Sequence, residues 1–188
     1  MAIELIVRAL SDSDAEAYRA LMLRAYEEHP MEFTSTVAER EVQPLEWWVK
    51  RIGNETSYAR AFGAFLSGNL CGGVAIEFET REKTRHKADL IGMYVAPEAR
   101  GSRAGRALVD AVLAAARTRE GVRQVMLTVT EGNVPAESLY AACGFERFGV
   151  EPRAVFADGA FRGKVHMWCD LSKDCHPEQS EGSHLAKG

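Results

Sequence analysis

The stretch VAPEARGSRAGRAL, residues 95 to 108, hands an extended apolar run over to an amphipathic helical one. Upstream, ADLIGMYV (Ala88–Val95) is polar only at its start, the pattern of a central strand buried on both faces. Downstream, Ala104, Ala107, Leu108, Ala111, Val112 and Ala115 recur at helical spacing from Arg103 to Glu120, and Gly121 stops the run. The turn between them carries Gly101 and Gly105 together with Arg100, Arg103 and Arg106. A helix N-terminus offers amide N–H groups without intrahelical acceptors and the positive end of its dipole. Glycine lets backbone approach an anion where a Cβ would intrude, and arginine adds charge-assisted contacts. The turn therefore reads as a phosphate cradle. Its plain alternative is a tight strand-to-helix connection with solvated arginines.

Two familiar phosphate loops are excluded. A P-loop requires Gly-Lys followed by Ser or Thr, which occurs nowhere in the chain. A dinucleotide fingerprint requires G-x-G-x-x-G at the first strand–helix junction, and it too is missing.

The other segments fall into order around this turn. Ile3–Ala9 reads as a strand, and SDSDAEAYRALMLRAYEEH as a helix that Ser11 or Ser13 can cap and Pro30 stops. A second helix is predicted over Leu45–Ile52, between Pro44 and Gly53. Tyr58–Leu66 and Leu70–Glu79 form a hairpin about Ser67-Gly68-Asn69. Beyond the central helix come a strand over Val122–Thr130 and a short helix over Pro135–Ala142 with Gly144 at its end. Strands over Arg153–Phe156 and Phe161–Leu171 then meet across Asp158-Gly159. The organisation expected is one domain over residues 1–171 and a polar, disordered tail over 172–188.

Composition narrows the partners. A 188-residue chain with 46% hydrophobic and 27% charged residues is of ordinary globular make-up. A net charge of −4 argues against a nucleic-acid partner, which would require a basic face. No apolar stretch approaches the ~20 residues of a membrane span, and the N-terminus lacks a basic leader, so no membrane partner and a cytoplasmic location are expected. Cys71, Cys143, Cys169 and Cys175 form no C-x-x-C pair, and with His166 and His176 they make no convincing zinc set, so no metal is expected.

Two motifs carry a resemblance. Arg100-Gly101-Ser102-Arg103-Ala104-Gly105 is similar to the pyrophosphate signature Q/R-x-x-G-x-G/A of the GNAT superfamily of N-acetyltransferases. It matches at the first and last fixed positions and departs at the fourth, where Arg103 stands for glycine. Asn133-Val-Pro-Ala136-Glu-Ser-Leu139-Tyr140-Ala-Ala-Cys-Gly144-Phe145 resembles the family pattern N-x-x-A-x-x-L-Y-x-x-x-G-F at every fixed position. The order of elements agrees over residues 3–171.

The resemblance implies an α/β fold with a central mixed, mostly antiparallel sheet, splayed between its fourth and fifth strands and carrying helices on both faces. It implies acetyl-CoA as cosubstrate, with the pantetheine arm against backbone of Met93, Tyr94 and Val95 and the pyrophosphate on Arg100–Arg106, including Ser102 and Ala104. It implies acetyl transfer to a primary amine by direct attack in a ternary complex. Tyr140 is then the candidate acid for the leaving thiolate, and Asn133 caps its helix or bonds the cofactor arm. Asp89 is the candidate general base, with Glu77, Glu79, Glu131, His86 and His166 as rivals.

Within the same resemblance the first two helices and last two strands form the acceptor site, which brings in Tyr26, Glu32, Phe33, Trp47, Trp48, Phe156 and Phe161. Adjacent Trp47 and Trp48 cannot share a helix face, so one is expected in the core and one at the rim. The acceptor is a small molecule or a protein. A non-catalytic acyl-CoA sensor and a homodimeric interaction module stand as alternatives, and edge pairing through Phe161–Leu171 is the expected route to a homodimer.

Overall fold

The computed structural model describes residues 4–54 and 57–172. Seven strands form one sheet: β1 (Leu5–Ala9), β2 (Ala59–Leu66), β3 (Asn69–Phe78), β4 (Lys87–Val95), β5 (Gln124–Thr130), β6 (Glu146–Ala157) and β7 (Ala160–Asp170). Their order is β1-β2-β3-β4-β5-β7-β6, antiparallel everywhere except at β4–β5. Five helices flank it: α1 (Ala15–Glu28), α2 (Val37–Glu41), α3 (Leu45–Ile52), α4 (Ala104–Thr118) and α5 (Val134–Ala142).

The two faces of the sheet are covered differently. On one, Leu108, Val109, Val112 and Leu113 of α4 pack with Val74, Ile76, Leu90, Val125, Leu127 and Val165, and Tyr140 of α5 joins the same cluster. On the other, Tyr18, Met22 and Tyr26 of α1 and Trp48 and Ile52 of α3 cover Ala61 and Ala75. β2 and β3 are thus sandwiched between helices, which is why they run apolar with little alternation. Trp48 is fully buried while Trp47 is half-buried, as their adjacent helix positions require.

The decisive irregularity is in β4. It pairs with β5 through only three residues, Lys87–Gln124, Ala88–Val125 and Asp89–Met126. Beyond Asp89 the two strands part. On its other side β4 remains paired to β3, but with a register shift: Ile91 faces Ala75, Tyr94 faces Gly73, and one residue is left over. Gly92 stands in this bulge at φ +61°, a conformation open to glycine at no steric cost. The extra residue slips the side-chain phase. Ala88 and Leu90 face α4 before the bulge, and Met93 and Val95 face it afterwards. β4 therefore bends away from β5 at Gly92, and the splay follows.

Several elements differ in extent from their predicted ranges. β1 begins at Leu5, and Ile3 lies outside the described residues. The β2–β3 turn is two residues, Ser67 and Gly68, both at positive φ, with Asn69 already paired to Leu66. Asp158 and Gly159 make the same kind of turn between β6 and β7. α2 is an additional helix, opened by Thr36, which accepts from Glu39 N at 3.2 Å while the Glu39 carboxylate accepts from Thr36 N at 2.8 Å.

β6 is the largest correction. It starts at Glu146 rather than Arg153 and forms the edge of the sheet. From Lys164 to Asp170 β7 lies between β5 and β6, so most of Phe161–Leu171 offers no free edge for a second copy. The expected tail after Ser172, with Cys175 and His176, lies outside the described residues.

Candidate active site

The turn from β4 to α4 takes the form its composition calls for. Pro97–Ala99 makes a single 3-10 turn, and α4 begins at Ala104 with no acidic residue in its first turn. Ser102 is tied down locally: its hydroxyl donates to Ala99 O at 2.6 Å and accepts from Ala104 N at 3.3 Å. The first α4 amide to reach an intrahelical type of acceptor is Ala107, which bonds Arg103 O. By helix geometry the amide of Gly105 has no carbonyl one turn back.

Gly101 lies at φ +81° with open space where its side chain would be. Arg103, the departure from the signature, adopts φ +68° and ψ +10°, the left-handed conformation. The backbone thus keeps the shape that glycine allows, and an arginine occupies it at a cost of about 1–2 kcal/mol. Arg100 and Arg103 are exposed. Arg106 is engaged elsewhere: its Nε lies 3.0 Å from Asp110, and its Nη1 donates to Ala142 O at 2.8 Å, tying α4 to the end of α5. At Gly105 a Cβ would come within 3.2 Å of Leu139 and 3.6 Å of Met93, so α4 is closely applied to α5 and to β4 beyond the splay.

On α5, Asn133 serves both of its amide ends. Its Oδ1 accepts from Ala136 N at 3.2 Å as helix cap, and its Nδ2 donates to Glu32 at 2.8 Å. Tyr140 is buried with its ring edge-on to Phe145, and burial pushes its hydroxyl pKa well above the ordinary tyrosine value. It holds its proton at any physiological pH.

Asp89 is the last residue of β4 paired to β5, and it stands on the face opposite Tyr140, since its neighbours Ala88 and Leu90 belong to the α4 side. Register aligns it across the sheet with Glu77, Met126 and, beyond them, Trp168 and Glu146. Burial raises the Asp89 pKa, and the charges of Glu79 and Glu77 add to the shift. Of its rivals, Glu79 accepts from Thr84 in the β3–β4 loop and His86 lies just before β4 begins, both away from the bulge. His166 on β7 stands 3.4 Å from Glu151, and the Glu131 carboxylate packs beside Gly163.

A network absent from the sequence reading closes the acceptor side. Lys164 is 5% exposed, and its ammonium donates to Glu32 O at 2.7 Å and to Thr130 Oγ1 at 2.8 Å. Thr130 in turn donates to Met31 O at 3.0 Å. At the near end of the same segment, Arg100 Nη2 lies 3.5 Å from His29 Nε2, and Tyr94 donates to Glu28 at 2.6 Å. The chain from His29 to Phe33 is thereby strapped across the mouth between β4 and β5. A lone lysine between Gly163 and Val165 in a strand was the available signal. Phe33 meets Tyr26 edge-on at 5.1 Å within this region. Phe156 and Phe161 pair with each other at the β6–β7 hairpin tip, largely exposed.

This architecture has known counterparts. The model of the acetyltransferase (GNAT) family matches residues 22–145. The chain belongs to that family. Curated relatives include a mycothiol acetyltransferase of Thermobispora bispora, 35% identical over 142 residues, covering 73% of this chain and 45% of the relative. Another, from Salinispora arenicola, is 32% identical over 136 residues, covering 72% and 42%. The chain spans less than half the length of these relatives. Among solved structures, a GNAT-family acetyltransferase of Streptococcus pneumoniae superposes with TM-score 0.76 at 25% identity, over 88% of this chain and 98% of that one. A Salmonella typhimurium structure determined with its cofactor acetyl-CoA superposes with TM-score 0.72 at 16% identity, over 94% and 99%, and supports the fold. Among the described residues no helix is long and apolar enough to cross a membrane, and no metal-ligating cluster is formed.

Proposed function

We propose that this chain is an acetyl-CoA-dependent N-acetyltransferase that moves an acetyl group directly to a primary amine within a ternary complex. One observation carries the reading: β4 leaves β5 after Asp89, and the glycine- and arginine-bearing turn with the α4 N-terminus lies at the same end of β4. A pantetheine arm fits the strand-free side of β4 along Met93, Tyr94 and Val95. The pyrophosphate takes the amide of Gly105 and the side chains of Arg100 and Arg103, with Gly101, Ser102 and Ala104 shaping the turn and Arg106 tying it to α5.

The chemistry then crosses the sheet. The amine approaches from the α1 and α3 face, where Asp89 takes its proton through a water. Its nitrogen bonds the thioester carbon, and a backbone N–H of β4 at the bulge supports the developing oxyanion. The carbon–sulfur bond breaks toward the α5 face, where the thiolate takes a proton from Tyr140. Base and acid on opposite faces suit direct transfer, because the group that takes the amine proton and the group that gives one to the thiolate are kept apart and do not neutralise each other.

Calorimetric titration of acetyl-CoA into wild type and an Arg100→Ala/Arg103→Ala variant tests this. Binding by the wild type, weakened at least about tenfold in the variant, is expected. No binding by folded wild type would remove the proposal. For the acid, Tyr140→Phe should lower kcat about 100-fold with acetyl-CoA affinity unchanged, measured by thiol release in the presence of an amine acceptor.

A further inference from the structure

Beside the β4 bulge, on the face from which the amine approaches, is a concentration of positive charge that the protein balances only in part. The half-buried indole of Trp47 is flanked by two guanidinium groups, with Arg40 Cζ 4.7 Å and Arg51 Cζ 5.4 Å from its ring centre. Arg51 has one carboxylate near it, Glu77, at a loose 3.8 Å. Arg40 donates to the neutral hydroxyl of Ser35 at 2.7 Å, and among the described residues no carboxylate closes on it at ion-pair distance. Among the described residues the buried Nε atoms of both arginines meet no hydrogen-bond acceptor.

Neighbouring donors share this condition. The Tyr18 hydroxyl belongs to a side chain with no solvent exposure; the Arg51 guanidinium is the donor that bears on it, and among the described residues no group accepts its proton. A Cβ built on Gly92 would stand 3.8 Å from Arg51 Nη2 and 3.9 Å from that hydroxyl, so both groups converge on the bulge. The Tyr26 hydroxyl responds to both guanidinium charges, which oppose the upward shift that burial causes. Buried donors are ordinarily satisfied, and guanidinium N–H groups without an acceptor are suited to a carboxylate. Acidic groups lie on the adjoining strands instead, where Glu77 and Asp89 face each other in register.

We infer that the acceptor is a primary amine bearing a carboxylate a few bonds from its nitrogen, an α-amino acid or close analogue, with Arg40 and Arg51 binding the carboxylate and Asp89 receiving the amine. This deepens the acetyl-transfer reading and rests on it. Positive and negative groups separated by the width of the bulge match the two ends of a zwitterion. Trp47, stacked by both arginines, pre-orients them and limits the acceptor to a group that can lie against an aromatic wall.

The test uses product-like probes, so that it does not depend on turnover. N-acetyl-L-amino acids with small, aliphatic and aromatic side chains are titrated calorimetrically into the whole protein, each against its carboxamide. At least one acid is expected to bind about tenfold or more tighter than its amide, because the amide leaves guanidinium donors unpaired. Arg40→Gln and Arg51→Gln should bring acid and amide together, and Arg40→Lys should restore part of the difference. Circular dichroism of each variant checks the fold. Equal binding of every acid and its amide, or a preference that survives both glutamine variants, overturns the assignment. Acetyl-CoA titration separates the two ideas. Acetyl-CoA binding without any acid preference fails the carboxylate site alone. An acid preference without acetyl-CoA binding fails acetyl transfer, and with it the acceptor assignment.

Discussion

At the residue scale, Arg103 shows how a side chain and a backbone shape can be at odds. Its left-handed conformation costs about 1–2 kcal/mol for an L-residue, against about 0.5–1 kcal/mol of extra chain entropy if glycine replaced it. Arg103→Gly should therefore raise stability by about 0.5 kcal/mol in urea unfolding. It should also weaken acetyl-CoA binding several-fold by removing a phosphate-side cation. A gain in both stability and affinity would show that the guanidinium contributes nothing to the cosubstrate. Asp89 yields a pH prediction. Its folded pKa is raised, so the native state holds the proton more tightly than the unfolded chain. Stability is consequently lost as pH rises from the unfolded value through the folded one. Asp89→Asn removes that loss, so it should be more stable than wild type at neutral pH and indistinguishable near pH 3. Urea midpoints at the two pH values read this directly, and acetyl transfer should fall in the same variant.

At the element scale, the sequence was most legible where periodicity and punctuation agree. α4, α5 and the β2–β3 hairpin follow from helical spacing, Pro and Gly positions and turn pairs. The bulge in β4 was signalled only by an isolated glycine inside a strand pattern, and the pattern does not say whether such a glycine bends the strand or admits a neighbour. α2 is missing from the expected elements, although Thr36-Val-Ala-Glu39 carries the signal of a capping box. The first half of β6 was not legible, because its exposed edge position permits Arg147, Gly149, Glu151 and Pro152 in one strand. The His29–Phe33 strap depends on tertiary contacts alone. Lys164→Met deletes two charge-assisted hydrogen bonds but also removes a desolvated ammonium, so global stability should change by no more than about 1 kcal/mol. The strap itself should loosen. Amide exchange over residues 31–36 should quicken about tenfold or more, while α4 amides keep their protection. Unchanged exchange in the strap would mean that the Asn133–Glu32 and Thr130–Met31 bonds hold it without the lysine.

At the scale of the whole molecule, the splay is a missing length of ladder between β4 and β5 in an otherwise continuous sheet. A ligand arm lying along β4 in that gap adds pairing to a strand that lacks it there. With acetyl-CoA bound as proposed, ligand at 100 times its dissociation constant should stabilise the fold by about 2.7 kcal/mol, which corresponds to a rise in Tm of roughly 5–10 °C for a domain of this size. Thermal scans with acetyl-CoA and with desulfo or dephosphorylated analogues measure it. A shift of the same size in the Arg100→Ala/Arg103→Ala variant would mean that the turn plays no part in holding the cosubstrate.

The sequence by itself determined the family frame: a strand, a cationic glycine turn and a helix, followed by a helix with Asn133, Leu139, Tyr140, Gly144 and Phe145 at set positions. These are local matters, governed by spacing along the chain, and local spacing is what a sequence displays. Tertiary structure alone decided that Arg40 and Arg51 meet at one indole and that Lys164 reaches Glu32 from 132 residues away. It also decided that Asp89 and Tyr140 stand on opposite faces of one sheet. Those arrangements depend on strand order, register and the one-residue slip at Gly92, and each follows from how whole elements pack rather than from any short run of residues.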